Sequence, residues 1–392
     1  MLLSIAYMLL LGMFTGWLCK KCHLPSLLGM ILTGVILGPY ALNMIDVSIL
    51  SISAQLRRIA LIIILTRAGL SLNLQDLKKV GRPAILLCFV PACFEIMGMV
   101  ILAPLLLGVS VLEAAIMGAV VGAVSPAVIV PKMLKLMEEG YGTKKAIPQM
   151  ILAGASVDDV FVIVLFSVFT RMAEGGTVSY MSFVTIPVSI VTGILAGALL
   201  GLVLTFLFTK IHIRDTAKVL IVLCTAFILV TLEDDFGGIV PFASLIAVMF
   251  VGIVLQARRK KVANRLSVKF NKIWVGAEIL LFTLVGATVN LQYVTSAGIA
   301  AVVLIFGVLV FRMIGVLVCL LKTPLIWKER AFCMVAYCPK ATVQAAIGGI
   351  PLAMGLSCGN LVLTVAVLAI VITAPLGAYI IDLIYKKTLS RE

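Results

Sequence analysis

The chain has 392 residues, of which 62% are hydrophobic and 12% charged, with a formal net charge of +14. A soluble domain is roughly 45–50% apolar and 25% charged, so at a mean hydropathy of +1.23 the solvent for this surface has to be lipid. A soluble enzyme, a disordered chain and a secreted disulfide scaffold are excluded, and the long apolar runs disfavour an outer-membrane barrel, whose strands alternate.

The first apolar run ends at Cys19. Lys20 and Lys21 follow it rather than precede it, and no small-residue cleavage site appears, so it reads as a retained span and not a signal peptide. Each spanning helix takes ~20 residues. In chain order the predicted apolar cores are 2–19, 24–43, 54–72, 83–107, 111–134, 145–170, 181–209, 216–232, 238–256, 273–292, 296–321, 330–356 and 360–385. These are about thirteen spans of an all-α polytopic membrane protein.

Alternate connections hold most of the 31 basic residues: Lys20 and Lys21; Lys78, Lys79 and Arg82; Lys132, Lys135, Lys144 and Lys145; Lys210, Arg214 and Lys218; the run from Arg258 to Lys272; Lys322, Lys328 and Arg330; and Lys386, Lys387 and Arg391. The opposite connections hold Arg171 and the acidic run Glu233, Asp234 and Asp235. Lys and Arg stay on the cytoplasmic side. The expected topology is a multi-pass cell-membrane protein with its N-terminus outside and its C-terminus inside. The +14 then reads as topology, and no nucleic-acid partner is expected. Arg57, Arg58, Arg67, Arg312 and Lys340 remain at or near membrane depth.

Cys19 and Cys22 have CxxC spacing beside His23, but no second ligand pair accompanies them, and His212 is the one other histidine. Neither a zinc or haem site nor any other cofactor is expected.

The end of span 3, Thr66 to Gln75, and the end of span 10, Thr283 to Gln292, share Thr, Gly, Asn, Leu and Gln at an offset of 217. The two spans cross the membrane in opposite senses. An inverted repeat follows, of the kind common in secondary transporters: spans 1–6 and 8–13, with span 7 as linker. The chain then reads as one membrane domain over 1–392, with repeat one at about 1–172, the linker span at about 181–209 and repeat two at about 214–392.

The repeat puts two irregular spans in matching slots. Span 5 contains Val124-Ser125-Pro126 and Pro131; span 12 contains Pro339-Lys340-Ala341-Thr342, then Gly348, Gly349 and Pro351. A proline in mid-span frees backbone carbonyls, which in lipid must face protein or a wet cavity. Either span alone reads as a Pro kink; the matched pair points to an ion or substrate site.

Span 6 carries Asp158 and Asp159 near its middle. Each costs roughly 2.5–3.5 kcal/mol on insertion scales, so a role in function is expected. Helix neighbours point about 100° apart, so the two cannot serve identical roles. At ~4 Å and an effective dielectric of ~20 they repel by about 4 kcal/mol, which a bound proton or cation relieves. Glu95 in span 4 and Arg312 in span 11 also lie 217 apart, and symmetry-related points on crossing helices can meet. A buried Glu95–Arg312 ion pair is expected; the alternative pairs Arg312 with Asp158 and leaves Glu95 protonated. The C-terminal ends of half-helices carry partial negative charge, and Lys340 is expected to offset it. Pro126, Pro339 and Thr342 belong to the same broken-helix support.

With these residues placed, the chain resembles the cation–proton antiporter superfamily, and within it the NHA-type sodium/hydrogen exchangers. The resemblance rests on Val124 to Pro131, Ala155 to Val160 and Pro339 to Ala346, and extends to Thr66-Arg67-Ala68-Gly69 and Leu281 to Leu291. It implies that Asp159 is the principal ion and proton carrier, with Asp158 beside it. It also implies oxygen ligands from Ser125 and the Val124 carbonyl, an elevator-like movement and a homodimer. The function expected is secondary antiport of a monovalent cation (Na+ or Li+) for H+, electroneutral. The alternatives are a sodium-coupled symporter of an organic anion, which would need a polar cluster shaped for a solute, and a channel-like cation pathway. An intramembrane enzyme is not expected: Ser156 is the nearest nucleophile and has no histidine near it in sequence.

Overall fold

The computed structural model describes residues 1–22, 24–72, 81–174, 180–211, 213–236 and 242–391, with backbone alone at 156, 174, 180–187 and 291–297. His23, His212, residues 73–75 of the repeat motif and the Ser156 side chain therefore lie outside the described part. The fold is almost wholly helical. The helices are α1 (Leu2–Lys21), α2 (Ser26–Leu37), α3 (Val47–Ser51), α4 (Ser53–Ser71), α5 (Arg82–Leu87), α6 (Val90–Leu107), α7 (Val111–Val121), α8 (Pro126–Glu138) and α9 (Ile147–Glu174). They continue as α10 (Tyr180–Lys210), α11 (Asp215–Phe236), α12 (Ser244–Arg258), α13 (Lys260–Thr288), α14 (Leu291–Cys319), α15 (Trp327–Ala336), α16 (Thr342–Ile347), α17 (Ile350–Ala353) and α18 (Gly359–Thr388). Among the described residues, nine helical stretches are long and apolar enough to cross a membrane, and Ser26–Leu37, Ser244–Arg258 and Thr342–Ala353 are shorter apolar helices. The one extended pairing there is the isolated bridge Tyr141–Arg391.

Two elements differ from the sequence expectation. The basic run 258–272 is not a loop: Arg258 ends α12, and Lys260 to Lys272 begin α13. Ala263, Leu266, Phe270 and Trp274 recur every three or four residues and are buried, while Lys260, Lys261, Arg265 and Lys272 are exposed, which makes an amphipathic helix. Span 4 is interrupted at Cys88–Phe89, between α5 and α6. Pro91 has no N–H to give the carbonyl four residues earlier, that of Leu87.

The chain divides into two compact units. Unit one comprises Met1–Arg57, Asp76–Val162 and Ile279–Glu392. Its central feature is α14 running along α6. The approach is close because each helix offers a glycine to the other's phenylalanine. A Cβ on Gly98 would lie 2.6 Å from Phe311 Cγ, and one on Gly315 would lie 3.0 Å from Phe94 Cβ. Small residues of this kind let membrane helices approach. Phe94 and Phe311, like Gly98 and Gly315, are 217 residues apart. The end of α13 meets α2 at Gly34, where a Cβ would lie 1.9 Å from the Thr283 carbonyl oxygen. α18 packs on α7, α14, α15, α16 and α17. A buried apolar cluster including Leu87, Ile129, Met150, Phe332 and Ile381 joins α5, α8, α9, α15 and α18.

Unit two comprises Arg58–Gln75 and Ile163–Glu278. There α10 runs along α12, with α11 also against α12. α12 meets α4 at Gly252, where a Cβ would lie 2.6 Å from Leu70 N. Arg58 holds Asp234 through both guanidinium nitrogens at 2.6 and 2.7 Å. Glu233 accepts from Arg171 at 2.7 Å, and from the Ser244 backbone N–H at 3.0 Å and the Ser244 hydroxyl at the start of α12.

Overpacking a filled core costs about 1–3 kcal/mol. Gly98→Ala should therefore lower the melting temperature of the detergent-solubilised protein, and Phe311→Leu in the same chain should restore part of it. Unchanged melting in Gly98→Ala would show that α6 and α14 can separate freely.

Candidate functional site

The α6–α14 crossing sets Glu95 and Arg312 face to face, and neither has any exposed surface. α7 and α8 are the halves of the first broken helix, joined by Gly122–Ser125; α15 and α16 are halves of the second, joined by Tyr337–Ala341. The two joints touch through backbone, with Ser125 N–H donating to the Pro339 carbonyl at 2.8 Å. Pro126 opens α8, where a missing N–H costs nothing because a first-turn donor has no intrahelical partner. Lys340 N–H donates to the Thr373 hydroxyl of α18 at 2.9 Å, fixing the second joint. α9 brings Asp158 and Asp159 to the same place.

The end of α7 leaves terminal carbonyls without helical donors. Side chains supply them. Gln344 Nε2 donates to Val121 O at 3.1 Å and Ala123 O at 2.9 Å, and Arg312 Nη1 donates to Gly122 O. Arg312 Nε donates to the Tyr337 carbonyl, which closes α15, at 2.6 Å. The same guanidinium reaches both acids, Nη1 to Glu95 Oε2 at 2.7 Å and Nη2 to Asp158 Oδ2 at 2.8 Å. The sequence posed Glu95 and Asp158 as alternative partners of Arg312; the structure joins both to it. Asp158 Oδ2 also accepts the Val124 N–H at 2.8 Å.

Lys340 lies at the break of the second span, as expected, but its ammonium group does not serve the half-helix end. Its Nζ is 2.5 Å from Glu95 Oε2, and the half-helix carbonyls are served by Arg312 and Gln344 instead. Sequence reasoning gave no role to Gln344 or Tyr337; a polar side chain inside an apolar broken span was the available signal for Gln344.

Asp159 stands apart. It is 7% exposed, its Oδ1 has no hydrogen-bond partner, and no cationic group among the described residues forms an ion pair with it. Ser125 Oγ, Thr342 Oγ1 and Gln344 Oε1 are likewise buried without partners. Two carboxylates, Glu95 and Asp158, face two cations, Arg312 and Lys340, and one carboxylate is left over.

A family model described as "Sodium/hydrogen exchanger, transmembrane" matches residues 7–387. The chain belongs to the sodium/hydrogen exchanger family. It is 34% identical to sodium/hydrogen exchanger 9B2 of Xenopus tropicalis, over 100% of this chain and 75% of that protein. To human 9B2 it is 33% identical, over 94% of this chain and 70% of that one. Human 9B1 is 30% identical over 94% and 73%. Among solved structures, the sodium proton antiporter MjNhaP1 from Methanocaldococcus jannaschii at pH 8 superposes with a TM-score of 0.87 at 19% identity, covering 99% of both chains, a likeness of fold. The NHA-type resemblance seen in the sequence is borne out by these relatives. The chain is an integral membrane protein whose relatives are transporters. For such an exchanger the unpaired carboxylate of Asp159 is a group that a proton or a hard monovalent cation can neutralise.

Removing one partner of a buried ion pair costs about 3–5 kcal/mol, because the other charge is left alone. Glu95→Gln strands Lys340 but leaves Arg312 with Asp158. Glu95→Gln should thus melt well below wild type, and adding Lys340→Gln should recover more stability than adding Arg312→Gln. The reverse order in a thermal-shift assay would contradict this charge pairing.

Proposed function

We propose that the chain exchanges Na+ or Li+ for H+ with Asp159 as the carrier. Proton and cation compete for its carboxylate, with Ser125 and the Val124 carbonyl as oxygen ligands. The observation that carries this reading is the charge count around Asp159: every other buried carboxylate of the site has a cationic partner, and Asp159 has none. A site holding one unpaired negative charge takes up either one proton or one monovalent cation, so exchange is one for one and electroneutral. Asp158, bonded to Arg312 and Val124, keeps one protonation state through the cycle.

Unit one holds the whole ion site and is inferred to be the moving part of an elevator-like cycle. The division of the chain into two units supports this. Thirteen spans and an inverted repeat are part of the same reading, supported by the reciprocal Phe–Gly packing of α6 and α14 at the 217 offset. The distribution of Lys and Arg supports an external N-terminus and a cytoplasmic C-terminus. The protein is inferred to act in the cell membrane as a homodimer, as the family resemblance implies.

Two measurements test the mechanism. In proteoliposomes loaded with a pH dye, a sodium pulse without added solute should drive proton movement in wild type and none in Asp159→Asn, which should still fold. Wild-type rates in that variant would remove Asp159 from the mechanism, and a requirement for an organic anion would favour symport.

Charge movement is read by clamping the membrane potential with potassium and valinomycin. Initial sodium-for-proton exchange should proceed at the same rate with and without an imposed voltage. A sodium-dependent proton flux driven by voltage would mean that a second proton, on Asp158, takes part.

A further inference from the structure

We propose that Tyr337 is a positioning residue of the exchange reaction: it aims Arg312 at Asp158 and so keeps Asp158 out of the transport cycle. The inference rests on the one-for-one reading above. Tyr337 closes α15 and is fully buried. It meets Arg312 in two ways. Its carbonyl accepts Nε at 2.6 Å, and the guanidinium carbon lies 5.2 Å from the centroid of its ring, within cation–π reach. A guanidinium is planar, with its donors in a fixed fork. Holding one edge and one face therefore decides where Nη2 points, and Nη2 points at Asp158.

The ring is itself held at its far end. Its hydroxyl donates to the Leu87 carbonyl at 3.0 Å, the carbonyl that Pro91, four residues on, cannot serve. Beside that hydroxyl passes α9. A Cβ on Gly154 would lie 2.6 Å from the tyrosine oxygen and 2.7 Å from Leu87 Cβ. Gly154 is four residues before Asp158, so it lies on the same helix face about one turn away. One aromatic side chain thus spans from the helix that carries Asp158 to the arginine that holds Asp158. If the ring is removed, the donors swing, and hydrogen bonds weaken steeply as their angle falls toward ~120°.

The test compares wild type with Tyr337→Leu, Tyr337→Phe, Gly154→Ala and the double variant Gly154→Ala with Tyr337→Phe. Each is reconstituted in liposomes, and sodium-driven proton flux is read against pH and against imposed voltage. In Tyr337→Leu, exchange should persist at a lower rate, acquire voltage dependence and show a shifted pH profile, as Asp158 begins to exchange protons. Tyr337→Phe keeps the ring and the carbonyl and should shift less. Gly154→Ala pushes the tyrosine from the opposite side and should move the profile in the Leu direction. The double variant should recover part of that shift, because the hydroxyl is the atom the new methyl meets most closely. Should Tyr337→Leu fail to fold, Tyr337→Phe and Gly154→Ala carry the comparison. Variants that lose rate and melting temperature yet keep the wild-type pH profile and voltage independence would reduce Tyr337 to a packing role and overturn the proposal. A voltage-driven wild type would instead overturn the one-for-one reading. Tyr337 is then judged on the pH profile alone: a shift in Tyr337→Leu supports positioning, and no shift refutes it.

Discussion

The guanidinium of Arg312 has no exposed surface, and its N–H groups reach acceptors on four separate elements: Glu95 on α6, the Gly122 carbonyl after α7, Asp158 on α9 and the Tyr337 carbonyl after α15. An arginine cannot shed its charge in a protein, and a buried one without partners is very costly. Those four elements must therefore arrive together or not at all. The same group makes two broken helices tolerable in lipid. Each half-helix ends in carbonyls that carry partial negative charge, and Arg312 bonds one carbonyl at each end. Gln344 completes the first with a neutral amide.

The consequence is a division of labour between two adjacent aspartates. Asp158 receives a charged donor and a backbone N–H; Asp159, about 100° around the helix, receives neither. Asp159 Oδ1 is buried without a hydrogen-bond partner, and none of the site's cations pairs with it. A carboxylate clamped by a buried arginine is a fixed charge, whereas an unclamped one beside it is an exchangeable charge. In the function proposed above, specificity for a small ion rests on this contrast rather than on a solute-shaped cavity.

Much of this was legible in the sequence, and the physical reason is the same in each case. Two acids in mid-span are too costly to be incidental, prolines in matching spans announce broken helices, and an offset of 217 sets Glu95 opposite Arg312. Lys340 was visible as a charge, but its partner depends on where a long side chain turns, which spacing does not specify. The break at Cys88–Phe89 was missed because Pro91 looks like any span proline. The freed Leu87 carbonyl gains meaning only once the Tyr337 hydroxyl is seen on it. The run 258–272 was misread as a loop because its charge is conspicuous and its three buried apolar residues, Ala263, Leu266 and Phe270, are not.

The offset also separates what the fold needs from what exchange needs. Phe94 and Gly98 meet Gly315 and Phe311 reciprocally, and Ser125 and Thr342, also 217 apart, both begin the second half of a broken helix with a buried, unpartnered hydroxyl. Glu95 and Arg312 keep the offset but reverse the charge. At the offset from Asp158 and Asp159 stand Pro375 and Leu376 of α18; from Lys340, Ala123; from Gln344, Ala127; and from Tyr337, Val120. The packing is shared between the halves, and the ionisable chemistry is not. Two equivalent carriers would hold two exchangeable charges, and their repulsion would have to be relieved by two ions at once. With Arg312 and Lys340 set against Glu95, Asp158 and Asp159, these five buried charges sum to one negative. That leftover charge is what a single monovalent ion or a single proton can cancel.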